Sequence, residues 1–203
     1  MLDGEQITLH QVAPGTWEGP SISGGGIAVI SRGFVMRESL ISNGRGAYQL
    51  FGPEDLLPAQ DQSDRERGMI SWRALTDLRV ALVDIGTLRQ SPSRGVAEHL
   101  LRRAERQLDD AAHQLAVMQL PKVEERLLGL YWQFARRWGR MTAAGVRLDL
   151  SLRHEVIGRF VGAKRSTVSW GMAHLSERGV LREVNGGVLL APGSDPVRVA
   201  ATD

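Results

Sequence analysis

Cysteine is absent from this chain of 203 residues. Disulfides, cysteine-ligated zinc, iron–sulfur clusters and thiol-based redox sensing are therefore excluded. No apolar run approaches the roughly 20 residues that a membrane span requires. The first ten residues, MLDGEQITLH, are acidic and polar, unlike a secretory signal peptide. We therefore expect a cytoplasmic protein with no membrane partner.

Histidine is scarce, and its placement argues against metal chemistry. The five histidines lie at positions 10, 99, 113, 154 and 174, without metal-ligand spacing. The glycine-rich stretch SGGGIAV lacks the lysine and the hydroxyl residue of a phosphate-binding loop, so it is interpreted as a turn. We predict no bound metal, no cofactor and no catalytic residue.

Charge is unevenly distributed, although the net charge is only +2. Residues 122–183 carry 12 lysines and arginines against 6 acidic residues, whereas residues 1–121 carry 12 against 15. A basic segment attached to a mildly acidic one suits a nucleic-acid partner. Because such a surplus also occurs on proteins that bind no nucleic acid, the charge alone does not assign a partner.

Short strand-like segments fill the region from Gly24 to Leu88. GIAVI, GFVMRESLI, AYQLF and RVALVDI are separated by glycine, proline or the stretch SNGRG. They predict antiparallel strands, and residues 43–46 predict the turn of a hairpin between FVMRESLI and AYQLF. The polar residues 58–68 predict an exposed loop. We assign residues 1–93 to this β-rich domain.

A long amphipathic helix is predicted from about Arg94 to Leu120. Its apolar residues recur at alternating spacings of three and four, the pattern of a coiled-coil seam. The seam residues are Leu101, Ala104, Leu108, Ala111, Leu115 and Met118. Because the seam is narrow and includes two alanines, residues 94–120 are predicted to form a parallel homodimer. Packing of this helix on the sheet of its own domain is the alternative.

The C-terminal part, residues 121–203, follows the order of a winged helix-turn-helix. After Pro121, residues 122–141 predict a helix, and GVRLDLS predicts a strand. Two helical segments, RHEVIGRFVG and KRSTVSWGMAHLSERG, precede a strand pair, VLREV and GVLLA, around NGG. The second helix of a helix-turn-helix enters the major groove of DNA. We therefore predict a recognition helix at about residues 164–178.

The start of this recognition helix carries the candidate DNA-binding residues. Gly162 supplies the turn, and the apolar residues of both helices are assigned to the core. The remaining side chains are Lys164, Arg165, Ser166, Thr167, Ser169 and Trp170. Arginine can bind guanine with two hydrogen bonds, and hydroxyls and free N–H groups suit phosphate. In the alternative interpretation, Ser166 and Thr167 only satisfy the helix N-terminus and Arg165 is a solvated charge.

These segments resemble Crp/Fnr-type bacterial transcription regulators. The similarity is carried by VEERLLGLYWQFARRWGRM, by GVRLDLSLRHEVIGRFVGAKRSTVSWGMAHLSERGVL and by NGGVLLA, while RGFVMRESL, FGPEDLL and RALTDLRVALVDI follow the family's sensor domain in order. The resemblance implies an α+β fold with an N-terminal antiparallel β-roll of the cyclic-nucleotide-binding or jelly-roll type, a long dimerisation helix and a C-terminal winged helix-turn-helix. It also implies a homodimeric regulator of double-stranded DNA, with RNA polymerase as a candidate partner.

The resemblance also assigns individual residues. Arg165 falls on the family's base-reading arginine, and Thr167 falls on a position used for backbone contact. Ser166 stands where a glutamate is common, and Trp170 stands where a basic residue is frequent. The half-site sequence of the well-known members therefore does not carry over to this chain.

The sensor domain departs from the family's cyclic-nucleotide site. Nucleotide-binding members hold ribose and phosphate with a glycine–glutamate pair and with an arginine beside a small hydroxyl residue. Leu57 and Pro58 fall near the first pair, and Gly68 and Met69 fall near the second. The nearby arginines that could bind phosphate instead are at positions 65 and 67. Because the phosphate cradle is missing, we expect no control by cyclic AMP and assign no effector.

Two other functions stay open from the sequence. A β-roll resembles a cupin barrel, so a cupin-like small-molecule-binding protein is one alternative, although residues 24–88 contain no histidine for a cupin enzyme. A structural dimer whose helix-turn-helix has no DNA-binding activity is the other. A gel shift against genomic fragments separates the second alternative from a regulator.

Overall fold

The computed structural model describes residues 7–20, 26–40, 46–58, 70–84 and 94–196. The chain divides into two compact units, Met1–Asp109 and Asp110–Asp203. The boundary lies within a long helix, α1 (Arg94–Met118). The division into domains at residues 1–93, 94–120 and 121–203 stays a prediction. Along the described chain, no helix combines the length and apolarity needed to cross a membrane.

The described strands of the first unit form two antiparallel sheets. The strands are β1 (Ile7–Val12), β2 (Gly15–Trp17), β3 (Gly26–Arg32), β4 (Val35–Leu40), β5 (Gly46–Phe51), β6 (Leu56–Leu57), β7 (Ile70–Ala74) and β8 (Leu78–Asp84). Their order is β1-β8-β3-β6 in one sheet and β2-β7-β4-β5 in the other. This is the antiparallel β-roll that the sequence predicts.

Alternating side chains from both sheets form one core in the first unit. Its buried members are Ala28, Ile30, Val35, Phe51, Leu57, Trp72, Ala74, Leu78 and Val80. The Trp72 ring lies 5.8 Å from the Trp17 ring and 5.7 Å from the Phe51 ring, measured between centroids. Edge-to-face and tilted aromatic pairs of this kind add packing energy beyond the buried area. The three rings belong to the sheet β2-β7-β4-β5, and Trp72 packs in the core to which both sheets contribute.

The predicted hairpin is confirmed by the pairing of β4 with β5. The register runs from Val35 opposite Phe51 to Leu40 opposite Gly46. The turn residues 41–45 lie outside the described residues, as do residues 59–68 of the predicted loop. The strands β1, β2, β6 and β7 were not predicted. ITLHQV and GTW are short and largely exposed, β6 has two residues, and β7 has five.

The second unit has the predicted order of helix, strand, helix, turn, helix and hairpin. Its elements after α1 are α2 (Val123–Trp138), β9 (Arg140–Thr142), β10 (Gly145–Leu148), α3 (His154–Val161), α4 (Arg165–Glu177), β11 (Leu181–Val184) and β12 (Gly187–Leu190). The strands pair in the order β11-β12-β10-β9. Only β9, a fully exposed strand of three residues, adds to the predicted set.

The apolar faces of the three helices α2, α3 and α4 meet in the core of this unit. Val168, Met172 and Leu175 of α4 are buried, as the spacing of four and three residues predicts. The Phe134 ring of α2 meets the Phe160 ring of α3 edge to face, with 5.9 Å between centroids. This packing fixes α4 with its opposite face in solvent.

Candidate nucleic-acid interface

The turn between α3 and α4 depends on two glycines. Gly162 ends α3 in the left-handed conformation, with φ 63° and ψ 38°, which costs glycine little. The Ala163 N–H then donates to the Gly158 carbonyl at 2.9 Å. A Cβ on Gly158 would collide with the Ala163 carbonyl oxygen. These contacts hold the start of α4 close to α3.

The first turn of α4 presents polar side chains and free backbone donors to solvent. Lys164 is the N-cap residue, and no side chain caps the helix there. The side chains of Lys164, Arg165, Ser166 and Thr167 are exposed. Uncapped N–H groups at a helix start attract anions, because they carry the positive end of the helix dipole. The arrangement is therefore suited to bind a phosphate oxygen.

A cleft of about 370 Å³ lies beside this helix start. It is lined by Arg153, His154, Glu155 and Arg165. The Glu155 carboxylate lies 3.3 Å from the Arg159 guanidinium, which offsets its negative charge. The cleft therefore has a positive lining between the first turns of α3 and α4.

The basic residues of the second unit fall into two groups. Four arginines form ion pairs with aspartates away from the turn: Arg136 with Asp195, Arg137 with Asp110, and both Arg140 and Arg147 with Asp149. The Arg147 hydrogen bond lowers the pKa of the Asp149 carboxyl, and Arg140 adds to the effect. Among the described residues of the second unit, five exposed cations have no ion-pair partner: Arg153, Lys164, Arg165, Arg178 and Arg182. These five flank α3, α4 and β11, so the uncompensated charge lies along the helix-turn-helix and the hairpin.

The hydroxyl of Ser169, one of the predicted site residues, is hydrogen-bonded within the protein. It is half-buried, and its hydroxyl donates to the Arg165 carbonyl at 3.0 Å. The same oxygen lies 2.8 Å from His154 Nδ1, and His154 Nε2 lies 2.9 Å from a carboxylate oxygen of Glu183. His154 thus connects α3, α4 and β11. Sequence reasoning assigned His154 only to a helix start, because its partners lie 15 and 29 residues away.

Trp170 stands out because it is a large apolar side chain that is exposed on α4. Its exposed fraction is 60%. The indole stacks on the His174 ring, with 5.4 Å between centroids and 20° between planes. The His174 Nδ1 atom lies 3.4 Å from a carboxylate oxygen of Glu124 on α2. The indole is therefore held in place although it is open to solvent.

The helix α1 exposes one row of leucines. Leu101, Leu108 and Leu115 are seven residues apart and are 60%, 72% and 69% exposed. Between them lie Ala104, Ala111 and Met118, all partly exposed. A different face of the helix is anchored within the first unit, where the Gln107 amide exchanges hydrogen bonds with the Leu56 backbone at 3.0 and 2.9 Å. Within the part of the chain that the structure describes, no sheet covers the leucine row.

The sequence matches no family model and no curated protein, but solved structures match over nearly the whole chain. A cyclic nucleotide-binding domain containing protein from Listeria monocytogenes has a TM-score of 0.73 at 15% identity, covering 91% of this chain and 89% of that one. FixK2 from Bradyrhizobium japonicum has a TM-score of 0.71 at 19% identity, covering 97% of each chain. A CRP/FNR-family transcriptional regulator from Thermus thermophilus has a TM-score of 0.62 at 16% identity, covering 97% and 99%.

The chain has the fold of the Crp/Fnr regulators. The predicted α+β class, with a β-roll, a long helix and a winged helix-turn-helix, is confirmed. At identities of 15–19% the likeness establishes the fold.

Within this Crp/Fnr fold, the described part of the first unit shows why Leu57 and Pro58 are poor phosphate ligands. Leu57 is 4% exposed and belongs to the core cluster. Pro58 has no N–H to donate. Residues 65, 67, 68 and 69 lie outside the described residues. In the ranges that the structure describes, no three histidine or carboxylate side chains are grouped to hold a metal ion, and the absence of a metal stays a prediction.

Proposed function

We propose that this chain is a sequence-specific DNA-binding transcription regulator of the Crp/Fnr type. It acts as a homodimer, with α4 in the major groove of each half-site. The observation that carries this proposal is the group of five exposed cations without ion-pair partners around the helix-turn-helix. These five charges are concentrated around one uncapped helix start, and this concentration favours binding of a polyanion such as DNA.

The residues at the start of α4 have different roles in DNA binding. Arg165 is the candidate for reading guanine, because its planar fork can donate two parallel hydrogen bonds to O6 and N7. Lys164, Ser166 and Thr167 surround the uncapped backbone and contact phosphate oxygens. Ser169 lies behind them, where its hydroxyl holds the Arg165 carbonyl.

Dimerisation through α1 supplies the second half-site. The row of Leu101, Leu108 and Leu115 is exposed in the single chain, and a partner helix in a parallel coiled coil would cover it. The partly exposed Ala104 and Ala111 leave room for close helix approach. A two-fold dimer of this kind presents two copies of α4, which favours an operator of two symmetric half-sites.

We expect the activity to be independent of cyclic AMP. Leu57 and Pro58 fall near the family's glycine–glutamate pair, and the Leu57 side chain lies in the core. A buried leucine offers no hydrogen-bond donor or acceptor to a nucleotide. A regulator with this sensor unit therefore needs a different signal or none.

The proposal is tested first by recovering genomic DNA fragments bound by the full-length chain and by looking for a shared palindrome. Affinity is then measured across a base-substituted operator series at several salt concentrations. Arg165→Ala should remove the preference for guanine at one position of each half-site, a loss of about 1–3 kcal/mol of discrimination. Lys164→Ala should weaken all sequences alike and lower the salt slope by about one unit per half-site.

The matched control is Arg79→Ala, an exposed arginine on β8 of the first unit, which should leave the affinity and the salt slope unchanged. If no genomic fragment is enriched, the chain is a structural dimer and not a regulator. If Arg165→Ala keeps full base preference while overall affinity drops, Arg165 anchors the backbone and another residue reads the base.

A further inference from the structure

The recognition helix exposes an indole at a position that charge does not explain. Trp170 is 60% exposed, although the other large apolar side chains of α4, Met172 and Leu175, are at most 4% exposed. Tryptophan is costly to leave in water, so an exposed one on a functional surface points to a contact made on binding. The five uncompensated cations account for phosphate binding and leave Trp170 without a role.

The indole is oriented before any ligand arrives. It stacks on the His174 ring at 5.4 Å, and His174 is itself 3.4 Å from the Glu124 carboxylate on α2. A side chain that stacks on a neighbouring ring of its own helix loses less conformational entropy on binding than a free one. Such preorganisation suits a contact that discriminates between ligands.

The helical spacing places Trp170 on the solvent face that begins with Ser166. The two residues are four apart, so they lie one above the other along α4. Trp170 also follows Arg165 by five residues, which is about 7.5 Å along the helix axis. That distance corresponds to about two base-pair steps of 3.4 Å in a groove that the helix follows.

The base edges of unmodified DNA present one apolar group in the major groove. The C5-methyl of thymine is that group, and apolar side chains recognise thymine by contact with it. We propose that Trp170 reads the C5-methyl of a thymine that lies within about two base pairs of the guanine contacted by Arg165. This assignment rests on the proposed function. At the position of Trp170, where the family often has a basic residue, the base would be recognised by an apolar contact.

The test removes the methyl group and nothing else. In the operator recovered from genomic DNA, each thymine of the half-site is replaced in turn by deoxyuridine, and affinity is measured by competition. One thymine should show a loss of about fourfold per half-site, the value expected for one methyl group that leaves water. At the same position, 5-methylcytosine paired with guanine should bind more tightly than unmethylated cytosine, because it carries the same C5-methyl group.

Variants assign the effect to the indole. Trp170→Ala should bind the thymine and deoxyuridine operators equally, and Trp170→Phe should keep part of the discrimination. Arg165→Ala, the matched control, should lose guanine preference but keep the thymine-to-deoxyuridine ratio. A ratio of one at every thymine in the wild-type protein, or an unchanged ratio in Trp170→Ala, would overturn the assignment.

The two proposals fail in different ways. If no genomic DNA fragment is enriched, both the proposed function and the thymine contact are rejected. A specific operator with guanine preference but no sensitivity to deoxyuridine leaves the regulator standing and rejects only the role of Trp170.

Discussion

Replacing Leu108 with glutamate tests whether α1 is the dimer interface. Leu108 is the most exposed leucine of the row, at 72%, so its substitution removes little packing from the single chain. Leu108→Glu should therefore leave the fold of each protomer intact. In a parallel two-fold pair, the two copies of residue 108 face each other, so the change would place two carboxylates together in an apolar interface.

The size of the effect follows from the exposed fraction. Full burial of a leucine side chain contributes about 1.5–3 kcal/mol, so covering the exposed 72% contributes about 1–2 kcal/mol per copy. Two copies give about 2–4 kcal/mol, or about 30- to 1,000-fold in the dissociation constant of the dimer. Repulsion between the two carboxylates adds to this loss. Affinity for a palindromic operator should fall with it, while affinity for an isolated half-site should not.

Sedimentation velocity across a broad concentration series measures the dissociation constant, and circular dichroism checks the fold. Ala116→Glu is the matched control, because it adds the same charge at an exposed position eight residues further along α1 and outside the leucine row. The control should remain a dimer. An unchanged dissociation constant for Leu108→Glu would show that the protein dimerises through another surface or not at all.

Three further outcomes are expected. Gly158→Ala should destabilise the second unit by about 1–3 kcal/mol in urea unfolding, because the added Cβ meets the Ala163 carbonyl, a backbone atom that cannot rotate away; equal stability would mean that the turn relaxes. Burial and the nearby Arg136 guanidinium lower the pKa of His113, so the unfolded state binds the proton more readily, and stability should fall as pH drops below 6.5. His113→Gln should flatten that dependence, and an equally steep loss in the variant contradicts the assignment. Calorimetry with cyclic AMP and cyclic GMP should give no saturable heat; a saturable isotherm with either nucleotide would refute the cyclic-AMP independence proposed for the sensor unit.

The helix-turn-helix could be predicted from the sequence because its signals are local. The burial of Val168, Met172 and Leu175 follows from their spacing on one helix. The turn follows from Gly162, whose positive φ suits a residue without a Cβ. Each of these features depends on residues within about two helical turns of one another, so the pattern of a single segment is enough to predict it.

Several of the contacts that sequence reasoning missed join distant residues. β1 is short and mostly exposed, and its partner β8 pairs Ile7 with Val83. No local pattern in ITLHQV specifies a partner that far along the chain. The connection from Ser169 through His154 to Glu183 also needs three elements to be placed first. Such contacts depend on tertiary packing, which periodicity does not encode.

The same reasoning explains why the proposed DNA-binding surface is better defined than any ligand site in the first unit. A helix that reads DNA exposes its site residues on one face, so their roles follow from sequence order and from charge. A ligand pocket in a β-roll is built from inward-facing side chains of several strands, and its chemistry depends on which strands are neighbours. In this chain Leu57, which falls near the glycine–glutamate pair of the family resemblance, is buried in the core. A different ligand would therefore have to be recognised by side chains that only the register of the two sheets brings together.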